Sequence, residues 1–534
     1  MGGTNMNYLS RWTKPRARAV VAMAFVAASI TVATGMQGAS ASSSRSESPH
    51  ASGGTLTLIS ETTPASLNPA LNGNGVPLMW FSSLAYSSLI HRNPEGVAEP
   101  GLATSWAYSN GGKTFTMQLR PNVEFSDGTT LTAADVVAWI EYYQKSGTFA
   151  SDLADLSSVV ATGPLTVTFN LSAPDPLYPF FLDQEGSIGT IACSAAMANV
   201  TVLSTTTCGA GPYEIDTSAT VPDSSYVYVP NPNYWDPSAI HWSKIVINIV
   251  TTDSSALAAL QTGQANFTLG DATTAAAAKA AGLKIGVESA GFVGVVLIRD
   301  NGVTIPPLKE LAVRQALEYA INRPGITKAL FGSYGTPTTE YEGKGAPGYV
   351  ASVNNEYPYN PKKAKALLKK AHVKNLKFSV VVQPGAPGGD QILEAMIQEW
   401  SAVGVKVTLV PATTFADYGT EVFSGKIPGS TFVYYYGNLE SELNEIFSPT
   451  GAYNPFKVNF ASLNALREKI DVVGLTSPAG VKAENEAETI AVNEAYNINV
   501  ASIDTLVYST AGIDGISYSP AFPIPDPSEF YPAG

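Results

Sequence analysis

Stretches of strict apolar/polar alternation recur along this chain, interleaved with stretches of helical period. Thr55 to Ile59 alternates threonine with leucine as a half-buried strand does, and Pro64 to Pro69 breaks it into a loop. Phe115, Met117 and Leu119 alternate between Lys113 and Arg120, entered through the turn Ser109-Asn110-Gly111-Gly112, and Leu165, Val167, Phe169 and Leu171 repeat the pattern. Between these strands Thr132 stands as an N-cap with Asp135 three residues on, the spacing of a capping box. Val136, Ile140 and Tyr143 then fall on one face of the helix that follows.

The second half reads more regularly. Ile245, Ile247 and Ile249 predict a strand, Asp253 caps a short helix through Leu257 and Leu260, and Gly263 ends it. A long helix is expected over Leu308 to Ile321, with Val313, Leu317, Ala320 and Ile321 inward and Pro324 just beyond its end. Asn360 as N-cap and Pro361 in the first turn open another, which carries Ala364, Leu367, Leu368 and Ala371 inward. Phe378, Val380 and Val382 then make a strand, Asp390 opens a helix bearing Leu393, Met396, Ile397 and Trp400, Gly404 closes it, and Val405, Val407 and Leu409 make the next strand. Such a crossover implies parallel strands in a covered sheet, so the fold class is α/β. The tail from Pro520, rich in proline and aromatic residues, is expected to pack on another lobe, and no internal repeat is found.

At 534 residues with 45% hydrophobic content, the chain calls for two or three packed domains. Its 31 cations against 44 acids, a net charge of −13, exclude the electrostatic footprint of a nucleic-acid binder. Only 14% of residues are charged while tyrosine numbers 25, which suits ligand handling by aromatic and hydroxyl surface. The start of the chain reads as a secretory signal peptide, residues 1–41. A cationic stretch (Arg11, Lys14, Arg16, Arg18) leads into an apolar run from Ala19 to about Gly35, and small residues follow to Ala39-Ser40-Ala41. A permanent anchor, the alternative, needs about 20 apolar residues, and Ser29, Thr31 and Thr34 interrupt this shorter run. No cysteine lies near the expected cleavage site, so the exported protein is expected without an N-terminal lipid anchor, in the periplasm or on the outer face of the cytoplasmic membrane. Residues 42–53 are a small, polar linker expected to be disordered. Two cysteines close in sequence on an exported chain, Cys193 and Cys208, point to a disulfide stapling a Ser/Thr-rich excursion. A metal or redox role is the weaker reading, since no histidine or second cysteine pair stands nearby.

An exported α/β protein could be a hydrolase, but the usual machinery is missing. Gly111-Gly112-Lys113-Thr114 has the ending of a phosphate loop, yet Ala107 occupies the position of its first glycine and the stretch leads into a strand. There is no Gly-x-Ser-x-Gly, Ser-x-x-Lys or His-Glu-x-x-His, and the four histidines are scattered. No metal site and no cofactor are expected. Two carboxylates meeting in space would still serve glycoside hydrolysis, which keeps an exported hydrolase as the alternative function.

Several runs read together resemble the extracytoplasmic solute-binding proteins of peptide and nickel ABC transporters, family 5. They are Ser66-Leu67-Asn68-Pro69-Ala70; Leu89-Ile90; Glu99 to Trp106; Gly112 to Phe115; and Leu119 through Phe125-Ser126-Asp127-Gly128-Thr129 to Val137, the most specific of the series. Further on stand Gly209 to Tyr213, Asn231 to Trp235, Val313 to Arg323, and Tyr359 to Ala364. The resemblance covers nearly the whole chain after the leader, in family order. It implies a two-lobed, type II periplasmic-binding-protein-like α/β fold with an inserted α+β subdomain and a central ligand cleft. Lobe I would comprise 54–92, 211–290 and a returning segment 508–534, with the insertion at 93–210 and lobe II at 291–507. The implied function is capture of an oligopeptide-like or other small polar solute, without turnover, by a monomer that delivers it to a membrane ABC permease. A relative that senses its ligand without transporting it is a further alternative.

Peptide-binding members of that family anchor the ligand's amino terminus with an aspartate after an aromatic strand. The matching stretch is Phe432 to Glu440, in which Gly437 holds the aspartate's place and Glu440 is the candidate substitute for pairing a buried ammonium. Tyr434, Tyr435, Tyr436 and Asn438 are the other candidate ligand contacts on this side. On the opposing lobe Glu61, Thr62 and Thr63 follow the first strand, where doubly wound sheets leave a crevice at strand ends. Nickel import, the other family activity, finds no chelate contacts that map onto this chain.

Overall fold

The computed structural model describes residues 53–72, 78–93, 97–184, 187–297, 302–344, 348–384, 386, 388–412, 415–435, 439–451, 453–474, 477–518 and 525–534; at 151, 289, 290, 415, 416, 434, 435, 440 and 441 it describes the backbone alone. The leader and most of the linker lie outside these residues. Strand β1 (Gly53–Ser60) already begins at Gly53, within the expected linker. A four-stranded antiparallel sheet follows, from β2 (Ala103–Ser109), β3 (Thr114–Leu119), β4 (Leu156–Gly163) and β5 (Thr166–Leu171), ordered β2-β3-β5-β4. Helix α1 (Ala133–Ser146) packs on it through Val136, Trp139, Ile140 and Tyr143. Its capping box forms as expected, with Thr132 and Asp135 bonding reciprocally.

The chain then builds β6 (Tyr213–Ile215), β7 (Ser225–Pro230), β8 (Trp242–Ile249), α2 (Asp253–Gln261), β9 (Phe267–Gly270) and the thirteen-residue strand β10 (Lys284–Val296). Thr252, not Asp253, holds the N-cap position of α2; Asp253 is its first residue. The expected helix over 308–321 is shorter. Pro306–Lys309 form a 3-10 turn, Glu310 is extended, and α3 covers Leu311–Tyr319. Pro324 lies not beyond that helix but in the first turn of the next, α4 (Arg323–Phe331), capped by Asn322.

Beyond these come β11 (Gly335–Pro337), α5 (Pro361–Lys370), β12 (Lys377–Val381), α6 (Gly389–Ala402), β13 (Lys406–Val410), α7 (Phe415–Phe423), β14 (Gly429–Tyr435), α8 (Leu439–Glu442), α9 (Ala461–Val473), α10 (Pro478–Asn493) and β15 (Asn497–Ser509). The β12-α6-β13 crossover is parallel, as its alternation implies. An eleven-stranded sheet runs β13-β12-β14-β10-β15-β9-β1-β8-β7-β6, with β11 added against β15.

Two large apolar cores form on this sheet. One gathers Leu56, Trp80, Trp139, Tyr228, Ile245 and Phe267; the other Phe292, Val313, Leu317, Val380, Trp400 and Ile498. The described part of the tail packs on the first core, where Trp80 and Trp242 donate their indole N–H groups to the carbonyls of Pro525 and Phe530. Cys193 and Cys208 are disulfide-bonded with Cα atoms 5.6 Å apart. Among the described residues, no helix is long and apolar enough to cross a membrane.

Candidate functional site

The register of β10 and β15 locates the site. These antiparallel strands pair along their length, from Lys284 opposite Ser509 at one end to Val296 opposite Asn497 at the other. The first-core end of β15 pairs with β9, whose last residue, Gly270, lies opposite Leu506, and β1 and β8 run parallel to β9. At the other end β14 runs antiparallel to β10 and finishes at Tyr435 opposite Gly291, with β12 and β13 parallel to it. The C-terminal ends of both sets of parallel strands therefore point from opposite sides toward the middle of the β10/β15 pair. Register shifts interrupt that pair at Ser289/Gly291 and Val293/Gly294. Ligands of open α/β sheets bind at such strand ends.

From the first core the strand ends deliver three acids. Glu61 directly follows β1, Asp253 opens the helix after β8, and Asp271 directly follows β9. Burial, a hydrogen bond to the Asp253 carboxylate and the charges of Asp253 and Asp271 push the Glu61 carboxyl up to about 8. The Asp271 carboxylate accepts from the Thr273 amide at 2.7 Å, and its carbonyl accepts from Tyr508 on β15. Thr62 presents a buried hydroxyl with no hydrogen-bond partner among the described residues. Thr63 is tied elsewhere, 2.9 Å from Asp223 Oδ1 and 3.1 Å from the Tyr226 hydroxyl. The structure thus brings Glu61 together with two aspartates that sequence reasoning did not select. Their shared signal was position: each acid stands within a few residues of the C-terminal end of a parallel strand.

On the facing side, the backbones of Tyr434 and Tyr435 close β14 opposite Phe292 and Gly291, and Glu440 lies in α8. Tyr436, Asn438 and Gly437 lie outside the described residues. The end of β12 is tied to β14, since the Gln383 amide donates to Thr431 Oγ1 at 2.8 Å and Gln383 Oε1 accepts from the Val433 amide.

The second core also holds a feature no sequence pattern announced. Glu340, Glu442 and Glu488 are 0% exposed and Glu484 3%. Both carboxylate oxygens of Glu340 and Glu442, and one each of Glu484 and Glu488, lack a hydrogen-bond partner among the described residues. Burial pushes Glu340 up to about 8 and Glu484 to about 7. Burial and the neighbouring charge of Glu342 hold Glu442 and Glu488 far above the ordinary carboxylate range. Among the described residues, the one group with metal-ligand spacing is Asp127 with Cys193 and Cys208, and its two sulfurs are already joined to each other.

Comparison with known proteins places this geometry. The family model of bacterial extracellular solute-binding proteins, family 5 (middle), matches residues 97–454. Heme-binding protein A of Haemophilus influenzae is 26% identical over 520 residues, covering 90% of this chain and 93% of that protein. Glutathione-binding protein GsiB of Escherichia coli is 29% identical over 336 residues, 60% of this chain and 62% of its own length. Among solved structures, the binding protein AgaA of A. tumefaciens R10 in complex with agropinic acid aligns with a TM-score of 0.79 at 20% identity, over 90% of this chain and 99% of its own. The dipeptide-binding protein of Pseudoalteromonas sp. SM9913 in complex with Met-Leu aligns at 0.78 and 18% identity, over 90% of this chain and 100% of its own. These likenesses show the mixed α/β periplasmic-binding-protein fold.

Proposed function

This chain belongs to family 5 of the bacterial extracellular solute-binding proteins, non-catalytic receptors that work with ABC permeases, and from that membership we propose that its cargo is a small polar, peptide-like solute carrying an ammonium group. Membership sets the hydrolase alternative aside. The observation that carries the cargo reading is the Glu61, Asp253 and Asp271 trio at the strand ends of the first core. A cation seated there offsets the mutual repulsion of the three acids, and the hydroxyl of Thr62, the next residue after Glu61, has no hydrogen-bond partner among the described residues. Glutathione and Met-Leu, named for two relatives, both carry a free ammonium. On this reading residues 54–92, 211–290 and 508–534 make lobe I, 93–210 its insertion and 291–507 lobe II, with Tyr434, Tyr435, Tyr436, Asn438 and Glu440 contacting the cargo from the second lobe. The leader, residues 1–41, is removed on export, and the receptor works as a monomer.

Mass spectrometry of the solute that copurifies identifies the cargo class. Calorimetry with short peptides then tests the trio: N-acetylation weakens binding at least tenfold, and Glu61→Gln weakens the free-amine peptide while leaving the acetylated one unchanged. Because the cation requires Glu61 ionised, affinity for the free-amine peptide rises as pH approaches 8 from below. A copurified solute without a cationic group, or equal affinity for both peptides, overturns the reading.

A further inference from the structure

Between Tyr357 and Gly389 this acidic chain holds seven lysines, Lys362, Lys363, Lys365, Lys369, Lys370, Lys374 and Lys377, and no aspartate or glutamate. All seven are exposed. Helix α5 carries the first five on the face opposite Ala364 and Leu368, which are buried in the second core. Lys374 lies on the connection into β12, and Lys377 is the first residue of that strand. There Lys377 pairs in parallel register with Lys406 at the start of β13, and the Lys406 amide bonds the Leu376 carbonyl at 2.9 Å. Like charges on neighbouring strands repel, and among the described residues no carboxylate lies within ion-pair distance of any of these eight lysines.

Acids on the flanking elements, Glu310 and Glu356 among them, form no ion pair with these lysines, and others are engaged elsewhere or set back. Glu318 on α3 pairs with Arg323, and Glu399 on α6 accepts from the Asn322 amide. Asp390 and Glu394 sit in the first half of α6, toward the other end of β12. Lys363 lies 3.7 Å from the centre of the Tyr319 ring, which leaves the charge uncompensated by any anion.

The patch occupies the pole of the second core remote from the strand ends. Lys377 precedes Val381 by four residues, Val381 is level with Ser430, Ser430 opposes Val296, and five further residues of β10 lead back to Gly291. At 3.3 Å per residue that is about 30 Å, so the patch stays accessible whatever the cargo site holds.

We propose that this pole is a membrane-facing surface that binds the headgroups of anionic phospholipids. The residue types favour lipid over a protein partner. Protein interfaces enrich arginine, tyrosine and tryptophan and deplete lysine, whereas hydrated ammonium charges on flexible stems suit a diffuse layer of phosphates. Clusters of four to eight lysines bind anionic bilayers in this way. The large apolar side chain exposed beside the patch is Tyr359, 48% exposed at the entry to α5, a residue type that settles at bilayer interfaces. The rest of the surface carries the excess acid, so the patch also orients the molecule, with its remaining faces turned from the bilayer.

Co-sedimentation of the purified protein with vesicles of mixed phosphatidylglycerol and phosphatidylcholine tests this. At low salt the protein binds these vesicles, does not bind phosphatidylcholine alone, and is released as salt is raised. Replacing Lys369, Lys370, Lys374, Lys377 and Lys406 by glutamine lowers partitioning at least tenfold. Replacing Lys145, Lys244, Lys279, Lys426 and Lys482, five exposed lysines elsewhere, changes the net charge equally and leaves partitioning intact. Both variants keep the wild-type melting temperature. Equal partitioning into both vesicle types, equal loss in both variants, or binding only when the vesicles contain a permease overturns the proposal, the last in favour of a protein partner.

Discussion

Four glutamates of the second core, Glu340, Glu442, Glu484 and Glu488, set the pH behaviour of the protein. Burial raises all four, and the charges that add to it are themselves acids: Glu342, Glu488 and Glu445 on Glu442, and Glu342 and Glu340 on Glu488. Each therefore holds its proton more tightly folded than unfolded. A carboxyl raised in this way contributes stability that is complete below its unfolded value of about 4.5 and is lost as pH rises through its folded value. For Glu484 and Glu340 that window closes at about 7 and about 8. Melting temperatures measured from pH 4.5 to 9 should fall as pH rises, each group withdrawing on the order of 1.4 kcal/mol per pH unit within its window. Glu488→Gln keeps an oxygen to accept the Tyr341 amide, bonded at 2.7 Å, and should flatten the alkaline part of the profile and raise stability at pH 8. A melting temperature that climbs between pH 5 and 8 contradicts this. None of it was legible in the sequence, where a glutamate on α10 reads as solvated surface; only the tertiary covering of Glu484 and Glu488 makes them buried.

Elements were legible where local chemistry and burial agreed. The capped helix after Thr132, the helix entered through Asn360-Pro361 and the β12-α6-β13 crossover each carry their own start signal, period and stop, and each stands where expected. The helix read over 308–321 failed because its apolar period runs on through a break: Leu308, Val313, Leu317, Ile321 and Ile326 all enter one core although they come from a 3-10 turn, α3, the connection and α4. Pro306 and Pro307 were the overlooked punctuation, and Pro324, read as a stop beyond the helix, belongs to the Asn322-capped start of the next. Strand β10 escaped for a different reason. It packs on a small cluster of Ile59, Leu257 and Tyr508 at Ile285 and on the second core from Phe292 onward, so no single alternation spans it, and its glycines answer to close approach. A Cβ added at Gly294 would stand 2.2 Å from the Ile498 carbonyl oxygen and 2.9 Å from Asn499 Cα on β15. Backbone cannot retreat as a flexible side chain can, so Gly294→Ala should cost about 1–3 kcal/mol in urea unfolding. A neutral effect would mean that the strands separate more easily there than their pairing implies.

At the scale of the molecule, two apolar cores share one sheet through two strands that cross from one to the other, with both register shifts of the pair lying on the second-core side of Ser289. Half of the candidate site was open to sequence reasoning, because Glu61 follows a recognisable strand; Asp253 and Asp271 join it only through the parallel pairing of β8 and β9 with β1. A shared pair of strands permits bending without breaking either core, and register shifts are where a ladder bends most cheaply. A solute favours the bent form only by the contacts it gains there, so closure and affinity must change together. Small-angle scattering should show a smaller radius of gyration on saturation with cargo, and Glu61→Gln should require proportionally more cargo to reach the same closed value. The melting temperature should rise with free cargo as mass action demands, by about 2.7 kcal/mol of added stability at a hundredfold excess over Kd. A radius of gyration that stays constant while calorimetry reports saturable binding would separate binding from closure, leaving the strand pair a rigid spine and the acidic trio a site that needs no movement of the second core.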